Sequence, residues 1–90
     1  MKIEFAFIPG LSRRAIGVVV SVQPAVLHSP GERDRVRASL ATVRDFHGLP
    51  IVLAGVVGQR VQYHGDSNLV RQLSRIDALA LPWRTGTLAA

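Results

Sequence analysis

The chain is 90 residues long and 48% apolar, with 11 basic residues against 6 acidic ones and a net charge of +5. That length holds one hydrophobic core and has no room for a second, and the absence of cysteine excludes thiolate nucleophiles, thiol redox chemistry and thiolate metal sites. Ten of the eleven cations are arginine, whose planar fork of donors suits carboxylate and phosphate, so a basic surface would serve an acidic protein or a nucleic acid. A compositional preference for arginine over lysine accounts for that ratio but leaves the net charge unexplained. So small a domain, with no disulfide or metal to staple it, is expected to be marginally stable and to gain from association, with a homodimer as one outcome. Cytoplasm is the default compartment.

Residues 2–8 alternate, with Ile3, Phe5 and Phe7 on one side and Lys2, Glu4 and Ala6 on the other, the period of a half-buried strand. Pro9-Gly10 ends it. Residues 16–23 are apolar or small on both faces, which predicts an interior strand, and the short connection predicts an antiparallel hairpin. Ser12-Arg13-Arg14 ahead of the apolar run 15–27 has the outline of a twin-arginine export signal. The run is rich in valine, contains Pro24, lacks a small-x-small cleavage site and is too short to cross a membrane as a helix, so a buried strand is expected.

A helix is predicted over 30–47. Ser29 is placed to cap it, Pro30 takes the first helical position, and Glu32 stands where its carboxylate reaches back to the cap amide. Val36, Leu40, Val43 and Phe46 form the stripe toward the core, and Gly48 is the natural left-handed cap before Pro50. Residues 51–57 are apolar throughout and read as a central strand. A turn at Gly58-Gln59 leads to an alternating edge strand over 60–64, with Val61 and Tyr63 inward. Asp66 or Ser67 caps a second helix with Leu69, Val70, Leu73, Ile76 and Ala80 on one face, and Pro82 stops it. Residues 83–90 read as a short tail on a compact domain spanning 1–82, ordered only where Trp83 packs.

The order β-β-α-β-β-α predicts an α/β two-layer sandwich, a four-stranded, mostly antiparallel sheet with two helices on one face. The stretch 49–76 also resembles the C-terminal half of thioredoxin-fold proteins, glutaredoxins especially. A strand begins at Leu49-Pro50-Ile51, a hairpin turns at Gly58-Gln59, and Gly65-Asp66 opens the last helix. That resemblance implies a cis peptide before Pro50 and a nearby edge where partner strands dock. The redox cysteines are absent, so it implies a degenerate thioredoxin-like fold kept for protein binding, with no catalysis to carry over.

No motif for a cofactor or metal is present. His28, His47 and His64 lack zinc-ligand spacing and sit at predicted element ends, where His28 or His64 would serve only a minor enzymatic reading as general base. Arg33, Arg37 and Arg44 fall along one border of the first helix's apolar stripe, with Arg13 and Arg14 in the first hairpin as companions. Arg60 lies on the predicted edge strand, and Arg71 and Arg75 lie opposite the second helix's apolar face. These eight arginines are the candidate contacts of a non-catalytic macromolecule-binding domain, with a protein partner first and nucleic acid as the alternative. Tyr63 and Trp83 are the residues placed to stack on bases.

Overall fold

The computed structural model describes residues 2–10 and 14–87. Five strands form one mixed sheet: β1 (Lys2–Pro9), β2 (Ala15–Ser21), β3 (Ile51–Val57), β4 (Arg60–His64) and β5 (Arg84–Thr87), in the spatial order β4-β3-β2-β1-β5. The first two strands make the expected antiparallel hairpin, and β3 and β4 make the second one through Gly58 at φ 64°. The strands β2 and β3 are parallel. Parallel neighbours need a crossover over one face of the sheet, and α1 (Pro24–Leu27) and α2 (Pro30–Leu40) supply it.

The α/β class therefore holds, but the four-stranded layout with helices on one face does not. Two cores lie on opposite faces of the sheet, where the length alone predicted a single one. The crossover face buries Ile3, Val18, Val20 and Leu53 under Leu27, Leu40 and Phe46; the other buries Ala6, Ile8, Val19 and Val52 under Leu69 and Leu73 of α3 (Ser67–Leu73). The central strands are apolar on both sides, so each side has to be covered, and one layer of helices cannot do it. Among the described residues no peptide bond is cis, so Leu49–Pro50 is trans where the thioredoxin resemblance implied cis.

Both predicted long helices stop early. At the end of α2 the Thr42 hydroxyl donates to the Ser39 carbonyl at 2.6 Å, a local bond that competes with helix continuation, and Val43 is already extended. A separate 3-10 turn, Arg44–Phe46, then delivers Phe46 edge-on to Phe5 and Phe7 at centroid distances of 5.0 and 6.1 Å. The Ser29 hydroxyl accepts from the Glu32 amide as predicted. The Glu32 carboxylate does not reach back, because the Ser29 amide already donates to the Val26 carbonyl and Arg35 takes the carboxylate at 3.1 Å. Beyond α3, Asp77 accepts from the Leu79 amide and starts a 3-10 turn, Ala78–Ala80, which leaves Ile76 exposed instead of on a helical face.

Past Pro82, where a tail was expected, Arg84–Thr87 pairs antiparallel with β1. The chain thus leaves β4 at one edge and reaches β5 at the other by crossing the whole second face. Five strands span roughly 19 Å, whereas a seven-residue helix is about 10 Å long. The crossing covers the middle of that face and leaves one end of it open.

Candidate functional site

The open end is where the parallel strands β2 and β3 finish, the end of an α/β sheet at which ligands commonly bind. A groove of about 510 Å3 lies there between the sheet and the 3-10 turn of Ala78–Ala80. Strand pairing sets its floor. Thr85 stands opposite Glu4, Glu4 opposite Ser21, Ser21 opposite Ala54 and Ala54 opposite Tyr63. Directly paired residues share a face, so this row runs across all five strands. Val56 and Val61, the next pair outward, extend the apolar half of the floor.

The wall comes from the crossing segment. Trp83 is half-buried and its indole Nε1 donates to the Ala78 carbonyl at 2.7 Å, which fixes the ring beside the groove. Leu79 projects from the 3-10 turn at 89% exposure and Val56 is 59% exposed, so the groove has apolar lips as well as an apolar wall. Its charged groups are the carboxylates of Glu4 and Asp77, together with Arg84, whose guanidinium carbon sits 5.9 Å above the Phe7 ring on the opposite face. Tyr63, at the end of the row, faces a neighbouring hollow with Leu73, Ser74 and Ile76 instead, and burial and the charge of Asp77 raise its phenol above the ordinary pKa. No histidine lines the groove, and the ionisable group beside the Ser21 and Thr85 hydroxyls is the carboxylate of Glu4. What the groove offers is apolar area with a few polar acceptors at one end.

The candidate arginines do not converge on it. Arg13 lies outside the described residues, and Arg14 is exposed at the start of β2. Arg44 belongs to the 3-10 turn after α2, so the predicted line of Arg33, Arg37 and Arg44 along one helix is broken. Arg60 is exposed at the start of the edge strand β4, while Arg71, on α3, and Arg75, just beyond its end, lie on the layer across the sheet from α2. Arg37 turns inward. Its guanidinium donates to the carbonyls of Ile51 and His64 (2.6 Å to the latter) and to His64 Nδ1 at 3.0 Å, tying α2 to the ends of β3 and β4.

Since a guanidinium has only hydrogens to offer, His64 Nδ1 must accept, and the neutral ring carries its proton on Nε2. Partial burial, Arg33 and Arg37 lower the His64 pKa against a smaller opposing effect of Asp34. Desolvation and Arg33 lower the Arg37 pKa in the same way, again with Asp34 opposing; the group stays charged at any ordinary pH. His28 and His47 are exposed at separate turns, so the three histidines share no site. Among the described residues no three His, Asp or Glu side chains are grouped to hold a metal ion, and no helix is long and apolar enough to cross a membrane.

The residues of the groove come from five separate parts of the chain. Of these the sequence marks Trp83, as a stacking residue, while its companion Tyr63 lines the neighbouring hollow, and the pairing of Glu4 with Ser21 and Thr85 becomes visible only once the register is known. No family model matches the chain, and no curated protein or solved structure is significantly similar to it.

Proposed function

We propose that the protein is a non-catalytic binding domain that takes an apolar segment of a protein partner into the groove between the sheet and the 3-10 turn of Ala78–Ala80. The supporting observation is that Leu79 and Val56, the two most exposed large apolar side chains among the described residues, stand at the lips of an apolar hollow. Exposed apolar area around a concavity marks an interaction site, because water is displaced there at no loss of hydrogen bonds. An inserted leucine-sized side chain contributes about 1.5–3 kcal/mol, enough for a reversible adaptor or assembly contact when two or three such groups engage. The nucleic-acid alternative rests on the net charge of +5 alone, since the arginines that would carry it are scattered and Arg37 is engaged with backbone carbonyls.

The test is selection of short peptides from a random display library on the immobilised protein, with the binding site mapped by backbone amide shifts. Binding tighter than about 1 mM, with shifts centred on Ala54, Val56, Val61, Leu79 and Trp83 and lost in L79E, is the expected result. Shifts confined to α2 and the strand β4, or tighter binding to random-sequence RNA or DNA near physiological salt, would overturn it.

A further inference from the structure

The geometry points to a specific partner chemistry for this groove: the apolar segment it takes carries a basic side chain, lysine or arginine, that is seated on Glu4. The inference rests on the proposed groove and adds the ionic half of its recognition. Glu4 lies on β1 at the polar end of the floor, with the Ser21 hydroxyl on one neighbouring strand and the Thr85 hydroxyl on the other, both directly opposite it. Paired side chains on adjacent strands stand roughly 5 Å apart, so a carboxylate and two hydroxyls form a short line of acceptors bordering the apolar hollow. An ammonium or guanidinium has donors alone, and such a line is what it needs.

No cation among the described residues pairs with this carboxylate. Among the described residues the one ion pair is Arg35 with Glu32, so Lys2, two residues along β1 on the same face, is not within ion-pair distance of Glu4. Arg84 lines the groove but stacks over Phe7 on the far side of the sheet. In a protein with eleven cations and six acids, a carboxylate left unpaired at the floor of an apolar groove is a local reversal of the molecule's sign. Asp77 on the wall adds a second negative charge. The indole of Trp83, held by its bond to Ala78, offers a cation a π-system as well. A carboxylate, an indole and apolar walls together select an organic cation attached to an apolar body, and they discriminate against an anion of the same size.

Trp83 is the only tryptophan in the chain and lines the groove, so its fluorescence reports occupancy directly. Hexylammonium, hexanol and hexanoate are titrated at low salt, followed by a capped pentapeptide in which two leucines flank a lysine and by the same peptide with glutamine in place of the lysine. Hexylammonium is expected to bind about fivefold more tightly than hexanol, the scale of one exposed ionic contact, with hexanoate weakest, and the lysine peptide is expected to exceed the glutamine peptide by a similar factor. The variant E4Q, at an exposed position, should bring hexylammonium down to the level of hexanol and leave hexanol unchanged. Equal binding of all three probes, or a preference that survives E4Q, overturns the inference while the apolar groove stands. Preference among the small probes without binding of the lysine peptide overturns the protein partner in favour of a free amine. If nothing perturbs Trp83, the groove itself fails as a binding site. A fluorescence change that follows protein concentration without probe would place a second copy of the chain in the groove and overturn the inference too.

Discussion

At the scale of single residues, the junction of β3, β4 and α2 depends on one guanidinium and one missing side chain. Gly65 lets the end of β4 close on β3. A Cβ there would lie 3.1 Å from the Ile51 carbonyl oxygen and 3.2 Å from the Val52 Cα, and the residue's φ of 158° lies at the limit of what a side chain tolerates. Both neighbours are backbone atoms that cannot turn away, so G65A should destabilise the fold by about 1–3 kcal/mol, read as a lower urea midpoint; an unchanged midpoint would mean that β4 can shift. The same junction gives the stability a pH dependence. The His64 pKa is depressed in the folded state because protonation costs desolvation, faces Arg33 and Arg37, and takes from Nδ1 the lone pair that accepts from Arg37, while Asp34 opposes the effect only in part. The folded state therefore prefers the neutral ring. Its contribution is complete above the unfolded-state pKa, near 6.5, and is lost as pH falls through the lower folded-state value. Urea midpoints of the native chain should fall more than those of H64Q between pH 7.5 and pH 5, and parallel curves would separate His64 from the effect.

At the scale of elements, the caps were legible in the sequence because each is a local chemical fact. Ser29 with Pro30 starts α2, and Asp66 starts α3 by accepting from the amides of Asn68 and Leu69 at 3.0 and 3.1 Å. Gly48 and Gly58 hold the left-handed turns. What the sequence hid was decided by tertiary contact. Ala6 reads as the polar-side partner of Lys2 and Glu4, yet it is fully buried, since small size is what its place beneath the crossing segment requires. The β5 segment, Arg84–Thr87, has no apolar pattern because its role is to pair with the β1 edge. The two-sided apolarity of 16–23 and 51–57 already demanded cover on both faces, which a sandwich with helices on one side contradicts. The groove was illegible for the same reason, since its floor is a register and registers are not written in any one segment. Phe46 shows how far local pattern carries an argument: its stripe position was right for the core, but a separate 3-10 turn delivers it. Removing that ring from between Phe5 and Phe7 leaves a cavity, so F46A should cost about 3–5 kcal/mol, a large part of the roughly 5–15 kcal/mol that holds a domain together. A loss below about 1 kcal/mol would mean that Phe5 and Phe7 close the gap by themselves.

At the scale of the whole molecule, the segment from Gly65 to Thr87 works as a strap. It begins at one edge of the sheet, covers the second face with Leu69, Leu73, Leu81 and Trp83, and ends by shielding the opposite edge. Because β5 is the last of the described strands in chain order and the shortest, the strap is anchored at its far end by four residues of pairing. A chain truncated after Pro82 keeps every helix and four strands, and a reading that stops at local elements would expect it to be intact. It loses the Trp83 contact with the second core, the bond from its indole to Ala78 and the pairing of Lys2–Phe5 with β5. The edge of β1 then presents unpaired amides and carbonyls beside Ile3 and Phe5, a template for pairing with another chain. Lys2 and Glu4 are the charges left on that edge to resist such pairing. The truncated protein should unfold at a lower urea concentration and sediment as dimers or larger species where the full chain sediments more slowly. If it stayed as stable and as small as the full chain, the 3-10 turn and Leu81 would be holding the second face unaided, and the groove would have to survive without its tryptophan wall.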